Sequence, residues 1–409
     1  MSAIHTPVAR RVNRAQQREG GAQMINCDRL CRAIGPAILH GGLLWCLWGN
    51  GPVSAEEPSD RWETYLEAGV QAREKGRYAE AQRLLLEALR EARTPGEDDT
   101  RAAESLNNLG LLYHVQGRHA QAKPLYERAL AIWERRLGPE HPASAAALNN
   151  LAEIAAEEND MAEAERLYLR SLAIEERTLG QGHPQLAVGL NNLAELYRRQ
   201  RRDSGAEALY LRALAIVEAA EGADHPDLAP MLNNLAGLYK QQGRYALAEP
   251  LYQRTLAIRR GHDGPIHPLV AVGLNNLASL YHLQGLTLSA ERTYVEALHV
   301  AEQTLGREAS LVGTILGNVG WLAYDQGFFA QAKQSYQRAL VIQERALGPD
   351  DLRVATALDG LARASRRLGQ VAEADRFAAR AASIRTRQTQ GNAEGLSTQG
   401  RTAQGAQME

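Results

Sequence analysis

Apolar residues recur along most of this chain at the spacing of one face of an α-helix. In the segment 232–258, a first apolar face occupies positions i, i+3, i+4 and i+7 over 232–239, and a second face with the same spacing follows over 248–256. Gly243 separates the two faces, and glycine readily adopts the left-handed backbone that ends a helix. The pattern therefore predicts a hairpin of two helices.

This hairpin pattern repeats with a period of 42 residues. The tetrapeptide Leu-Asn-Asn-Leu begins at Leu106, Leu148, Leu190, Leu232 and Leu274, and weaker copies begin at Leu316 and Leu358. A His-Pro pair keeps the same period, with its histidines at His141, His183, His225 and His267. One hairpin cannot bury its apolar faces alone, so a period of this kind predicts a stack of about eight hairpins.

The repeated unit resembles a known repeat family. The stretch LNNLAGLYKQQGRYALAEPLYQRTLAI (232–258) resembles the tetratricopeptide repeat, and the 42-residue unit with LNNLA, QGRY and HP is similar to the kinesin light chain variety. The resemblance covers about residues 62–387 and implies an all-α, right-handed α-α superhelix whose first helices line a concave groove. The unit is longer than the standard repeat of roughly 34 residues, and we assign the extra residues to a longer second helix and to the His-Pro loop.

The resemblance also implies a set of partner-binding residues. It places the second residue of each Asn pair in the groove, where amide donors and acceptors can bind the backbone of an extended peptide. Alternatively, these amides bond to the adjacent hairpin and fix the stacking, which is the role expected for the first residue of each pair. The second residues are Asn108, Asn150, Asn192, Asn234, Asn276 and Asn318.

A second row of candidates lies seven residues after the first Asn, on the same helical face. Most of this row is basic or can become so, which favours an acidic or carboxylate-bearing partner segment. The alternative is an ordinary solvated face. The basic members are His114, Arg198, Lys240 and His282, and Ala156 and Tyr324 complete the row.

Composition and motifs argue against other functions. The net charge of -2 favours neither nucleic acid nor an anionic membrane as partner. All three cysteines precede residue 50, no catalytic or nucleotide-binding motif is present, and the histidines of the His-Pro pairs should be too widely spaced to share a metal ion. We therefore expect a non-enzymatic scaffold, without cofactor, metal or catalytic residue, that binds a protein or peptide. The alternative is a cytosolic or membrane-tethered regulatory module.

The two ends of the chain depart from the repeats. An apolar run at 33–48 follows Arg29 and Arg32, and small residues at 53–55 follow it, which is the order of a secretory signal. We expect cleavage after Ala55 and a periplasmic or secreted protein, with an uncleaved anchor or a chance apolar run as alternatives, and Met24 is a more ordinary start than Met1. Residues 56–61 form a linker, and the composition of 388–409, rich in Gln, Gly and Thr, predicts disorder.

Two repeats depart from the pattern at the turn between their helices. In the third unit, Ala155 replaces a tyrosine and Asn159 replaces the turn glycine, which predicts a softer joint near 148–176 with an intact turn, because Asn tolerates the left-handed backbone. In the fourth unit, Arg201 stands at the glycine position within a cluster of arginines at 198–202.

Overall fold

The computed structural model describes residues 59–92 and 99–405, and it describes side chains over 61–92 and 99–388. These residues form sixteen α-helices and contain no strand. The signal-like leader and the first half of the linker lie outside the described residues. The all-α prediction is confirmed, because the helices are the consecutive pairs that the 42-residue period implies.

The helices form eight hairpins, which we number from the first (α1 and α2) to the eighth (α15 and α16). The second helices of most hairpins are longer than the first, as the sequence predicts. The bounds are α1 (Ser59–Glu74), α2 (Tyr78–Glu91), α3 (Thr100–Val115), α4 (His119–Leu137), α5 (Pro142–Glu157), α6 (Met161–Leu179), α7 (Leu186–Arg199), α8 (Asp203–Glu221), α9 (Leu228–Gln241), α10 (Tyr245–His262), α11 (Pro268–Leu283), α12 (Thr287–Leu305), α13 (Ser310–Asp325), α14 (Phe329–Leu347), α15 (Leu352–Arg367) and α16 (Val371–Gly405).

The described chain divides into two compact units, each containing several repeats. The first unit ends at Leu238, and the second unit begins at Tyr239. Inside each unit, the two helices of a hairpin pack against each other, and the second helix packs against the first helix of the next hairpin. Each unit is therefore a stack of helical hairpins in chain order.

Buried tyrosines on the second helices supply the bulk that the scarce Phe and Trp do not. Tyr126 is completely buried, and a Cβ atom added to Gly110 on the facing helix would lie 2.7 Å from its ring. Glycine at 110 is therefore needed for this close approach. Its equivalents on other second helices are Tyr168, Tyr210, Tyr252, Tyr294 and Tyr336, all buried.

The turns inside the third and fourth hairpins keep the left-handed backbone without glycine. Asn159 has a φ of 66°, which confirms that Asn preserves this turn. Arg201 has a φ of 61°, although a residue with this side chain pays a steric cost there that glycine avoids.

The His-Pro pairs lie at the start of a helix or in the turn just before it. The Nδ1 atom of His141 accepts the backbone N–H of Ala143 at 3.2 Å, and Pro142, which has no N–H, is the first helical residue. His267 caps α11 in the same way, and His183 and His225 accept the N–H two residues ahead in the turns that precede α7 and α9. Before α3, the side chain of Asp99 takes over this role. The period of the His-Pro pairs thus follows from satisfying one otherwise unpaired N–H at each helix start.

Ion pairs between successive second helices recur with the period of the repeat. Pairs between an Arg and the Glu 36 residues before it join α6 to α4, α8 to α6, α14 to α12 and α16 to α14, at 2.5 to 2.6 Å. Between α10 and α12 the charges are exchanged, because Arg260 comes first and binds Glu296 at 2.6 Å. The charges at these two positions are therefore both reversed relative to the other junctions.

The last helix continues into the segment whose composition predicts disorder. α16 runs to Gly405, while Arg387 and Gln388 bond to Asp350 near its middle. A composition poor in apolar residues argues against a packed core, whereas a helix needs only its own backbone hydrogen bonds.

Candidate functional site

The Asn pairs form an amide ladder along the first helices, which we define as the second Asn of each pair with the first Asn of the preceding pair. In the first unit, Asn150 donates through Nδ2 to Oδ1 of Asn107 at 3.0 Å, and Asn234 donates to Asn191 at 3.0 Å. In the second unit, Asn318 donates to Asn275 at 2.9 Å. Each bond joins two hairpins, so these amides do what the stacking interpretation expects of them.

The inter-repeat bond also fixes the direction of each amide. Because Nδ2 faces the preceding hairpin, Oδ1 faces away from it, and the structure shows no described residue that donates to Oδ1 of Asn192, Asn234 or Asn318. All three side chains are half-buried. Their carbonyl oxygens are acceptors held at a fixed position.

The residues of the ladder differ in burial. Asn108 donates to the backbone oxygen of Glu104 in its own helix at 3.0 Å, and its Oδ1 is buried without a hydrogen bond to any described residue. Asn150 and Asn276 are buried. Of the predicted residues of the ladder, Asn192, Asn234 and Asn318 are therefore the more accessible.

The predicted basic row is paired with carboxylates at several positions. Nε2 of His114 lies 3.5 Å from Glu157, and Nε2 of His282 lies 3.0 Å from Asp325, in each case on the next first helix. Lys240 lies 5.7 Å from the ring centre of Tyr252. These acidic neighbours offset the charge of the two histidines, so the row is a mixed surface rather than a positive one.

Arg198 is used inside its own helix. Its guanidinium makes two bonds to Glu195, at 2.6 and 2.8 Å, and the hydroxyl of Tyr210 donates to the same carboxylate at 3.1 Å. Glu195 is buried, so Arg198 supplies the partner that a buried carboxylate requires.

The comparisons with known proteins agree with this architecture. The sequence matches the tetratricopeptide repeat at residues 63–122, 101–177, 144–219, 185–261, 269–340 and 322–387. The chain belongs to the tetratricopeptide repeat family. No curated protein matches it.

Several solved structures are similar to this chain. The apo form of the quorum sensor NprR from B. thuringiensis is 14% identical, with a TM-score of 0.63, over 81% of this chain and 89% of that one. BtubC from P. vanneervenii is 24% identical, with a TM-score of 0.45, over 57% and 90%. A putative kinesin light chain with nearly identical TPR-like repeats from Podosopora anserina is 25% identical, with a TM-score of 0.43, over 50% and 97%.

A carboxylate that the sequence analysis did not identify lies between the amide ladder and the basic row. Glu153, in the third tetratricopeptide repeat, accepts from Nδ2 of Asn192 at 2.6 Å, and its other oxygen lies 3.9 Å from Nδ1 of His114. Burial raises the pKa of the Tyr126 hydroxyl, and the charge of Glu153 adds to that effect. The Tyr126 hydroxyl is therefore uncharged, and its ring packs edge-on against His114. The residues at the positions equivalent to 153 and 157 differ from repeat to repeat, so the repeat pattern alone could not have identified these two carboxylates.

The arginine cluster of the fourth repeat is also paired. Arg202 stacks on Tyr197 with its guanidinium carbon 3.6 Å from the ring centre, and it binds Glu165 at 2.7 Å. The bond from Arg202 lowers the pKa of Glu165. Arg118 and Arg244 stack on Tyr113 and Tyr239 in the same way, so this arginine is a repeated structural element.

None of the helices among the described residues combines the length and the apolar character that a membrane crossing requires.

Proposed function

We propose that this protein is a non-enzymatic scaffold that binds an extended segment of a partner polypeptide along its first helices. The amide ladder is the observation that carries the proposal. Tetratricopeptide repeat proteins are generally scaffolds rather than enzymes, which supports the broader part of it.

The orientation of the amides supports binding through the partner's backbone. An extended chain has backbone N–H groups that need acceptors, and Oδ1 of Asn192 and Asn234 are acceptors already fixed in direction by the inter-repeat bonds. Such contacts do not depend on the partner's side chains. A preference for an acidic segment remains a prediction, and the carboxylates beside His114 and His282 weaken its electrostatic basis.

The first unit offers a matched pair of variants that separates binding from stacking. Replacing the donor residues of the ladder by Ala removes four hydrogen bonds between hairpins, because Asn192 also donates to Glu153, and replacing the acceptor residues removes three of those four. The donor set is Asn150, Asn192 and Asn234, and the acceptor set is Asn107, Asn149 and Asn191.

The probe is a short unstructured peptide selected from a display library on the wild-type protein. We expect the donor-set variant to bind it about 30-fold more weakly, since two hydrogen bonds of about 1 kcal/mol each, to Oδ1 of Asn192 and Asn234, are lost, and the acceptor-set variant to stay within about threefold of wild type. Equal affinities of the two variants would show that the ladder only holds the stack together.

Export is part of the proposal and rests on the residues before 59, which lie outside the described structure. The apolar run at 33–48 with small residues at 53–55 supports a cleaved secretory signal and a periplasmic or secreted scaffold. N-terminal sequencing of the protein from fractionated cells should begin at Glu56. A mature chain that retains the apolar run would contradict it.

A further inference from the structure

Three side chains with metal-ligand chemistry meet where the second and third hairpins join. His114 lies at the end of α3, His119 is the first residue of α4, and Glu157 is the last residue of α5. One nitrogen from each histidine and one oxygen from the glutamate all lie within 4.8 Å of one another. All three residues belong to the first unit.

The distances between these atoms suit a small metal ion. Oε2 of Glu157 lies 3.1 Å from Nδ1 of His119 and 3.5 Å from Nε2 of His114. In a tetrahedral zinc site with bonds of about 2.0 to 2.1 Å, neighbouring ligand atoms are about 3.3 Å apart. The two measured separations lie on either side of that value, so an ion could bind with little backbone movement.

The side chains are sheltered without being sealed from solvent. His114 is 13% exposed, Glu157 21% and His119 33%. Nδ1 of His119 is itself buried, and its contact with Glu157 does not have the geometry of a hydrogen bond. This nitrogen faces the cluster and forms no hydrogen bond with any described residue.

A carboxylate lies near the other ring nitrogen of His114. Nε2 of His114 belongs to the cluster, and Nδ1, its other ring nitrogen, lies 3.9 Å from Glu153. Asn192 donates to Glu153 at 2.6 Å. A carboxylate near one ring nitrogen favours a proton there and leaves the other nitrogen as the metal ligand, as is common around metal-binding histidines. His114 is therefore oriented with Nε2 toward the cluster.

The repeats supply an internal comparison four units later. The equivalent positions hold His282, Thr287 and Asp325, and Nε2 of His282 lies 3.0 Å from Asp325. Here a histidine and a carboxylate pair without a second histidine. An ordinary inter-repeat pair thus needs only two of the three residues, and His119 is the addition that completes a ligand set.

We propose that His114, His119 and Glu157 bind a divalent transition-metal ion, with Zn²⁺ as the ion to test. Imidazole and carboxylate ligands suit this class of ion, and three protein ligands leave a fourth position for water. Bound there, the ion would link α3, α4 and α5 and fix the junction of two hairpins beside Asn192. The competing interpretation is a set of His–Glu ion pairs that binds no metal.

The test is a Zn²⁺ titration of the full chain in competition with a chromophoric chelator. Cys27, Cys31 and Cys46 are replaced by Ser in every sample so that thiolates do not contribute. We expect one equivalent of Zn²⁺ to bind, and His119→Ala to raise its dissociation constant about 100-fold, as the loss of one of three ligands should. Zn²⁺ should also raise the Tm of the parent and not that of the variant.

Two further variants make the result decisive. Glu157→Gln keeps the shape of the side chain and should weaken Zn²⁺ binding as His119→Ala does. The matched control is Asp325→Asn, which removes the carboxylate of the two-residue pair and should leave the affinity within about twofold. Absence of stoichiometric binding, or binding that survives both His119→Ala and Glu157→Gln, would overturn the proposal.

Discussion

The side chain of Glu175 places an unpaired carboxyl group inside the third hairpin. It is 7% exposed, and its Oε2 atom is buried without a hydrogen bond to any described residue. Burial raises the pKa of this carboxyl to about 7. The charged form is therefore unfavourable in the folded protein, and the stability of the hairpin should depend on pH.

The equivalent position in other repeats shows what this site accepts. Val217 and Ala301 are apolar and buried there. Gln343 is polar, but it donates to the backbone of Ser310 and to the hydroxyl of Thr314. The position is thus a core site that accommodates polar groups when they are paired, and Glu175 lacks such partners.

The effect on the free energy of unfolding follows from the difference in the pKa of Glu175 between the folded and the unfolded chain. A glutamate in the unfolded chain has a pKa of about 4.3, so the folded value lies about 2.7 units higher, equivalent to about 3 to 4 kcal/mol. Because the pKa of Glu175 is raised in the folded state, the carboxyl is protonated in both the folded and the unfolded chain below about pH 4 and does not lower the stability there. Stability is lost as the pH rises toward 7, and the loss is complete above about pH 8.

Glu175→Gln removes the titration and keeps the shape. We expect the variant to match wild type at pH 4 and to be more stable by about 3 to 4 kcal/mol at pH 8, measured by urea unfolding and by amide exchange in α6. The control is Glu176→Gln, since Glu176 is paired with Arg212 at 2.6 Å and its loss should give no gain at pH 8. A Glu175→Gln variant with the same pH dependence as wild type would refute the reasoning.

Other predictions test the local features of the repeats. Arg201→Gly should raise stability by about 0.5 to 1 kcal/mol in thermal melts by relieving the left-handed backbone, whereas Arg201→Ala should give no gain. His141→Ala should cost about 1 kcal/mol in urea unfolding, and His141→Asp should recover most of it, because Asp can also cap the helix. Arg260→Glu should cost up to about 1 kcal/mol, and adding Glu296→Arg should restore it, since the pair would then have the orientation of the other junctions. Amide exchange should be fastest in the third hairpin, and uniform protection across the hairpins would contradict this.

Local features of the chain could be predicted from the sequence, because helices and turns depend on residues close together. The 42-residue period places the hairpins, and the tolerance of Asn for the left-handed backbone explains the turn at Asn159. The capping role of His141 was also within reach, since Pro142 marks a helix start, but histidine is not among the usual capping residues.

Contacts between repeats could not be predicted in the same way. Asn150 meets Asn107 and Arg170 meets Glu134, but offsets of 43 and 36 residues appear only once the tilt between hairpins is known. The same limit applies to His114 and Glu157, which are 43 residues apart in the sequence. A period identifies equivalent residues; it does not identify neighbours.

Departures from the repeat concentrate in and beside the third hairpin, and this is where the structure is least explained by stacking alone. Ala155 and Asp160 together replace the stacked Tyr and Arg seen as Tyr197 and Arg202 in the next hairpin. Glu175 adds an unpaired carboxyl to the same hairpin. Ala155 removes aromatic packing and Glu175 buries a carboxyl, whereas Asp160 caps α6 by accepting the backbone N–H of Glu163 at 3.1 Å. Natural proteins tend to break local rules at functional sites, and the proposed metal ligands at the adjoining junction would link this hairpin to the one before it.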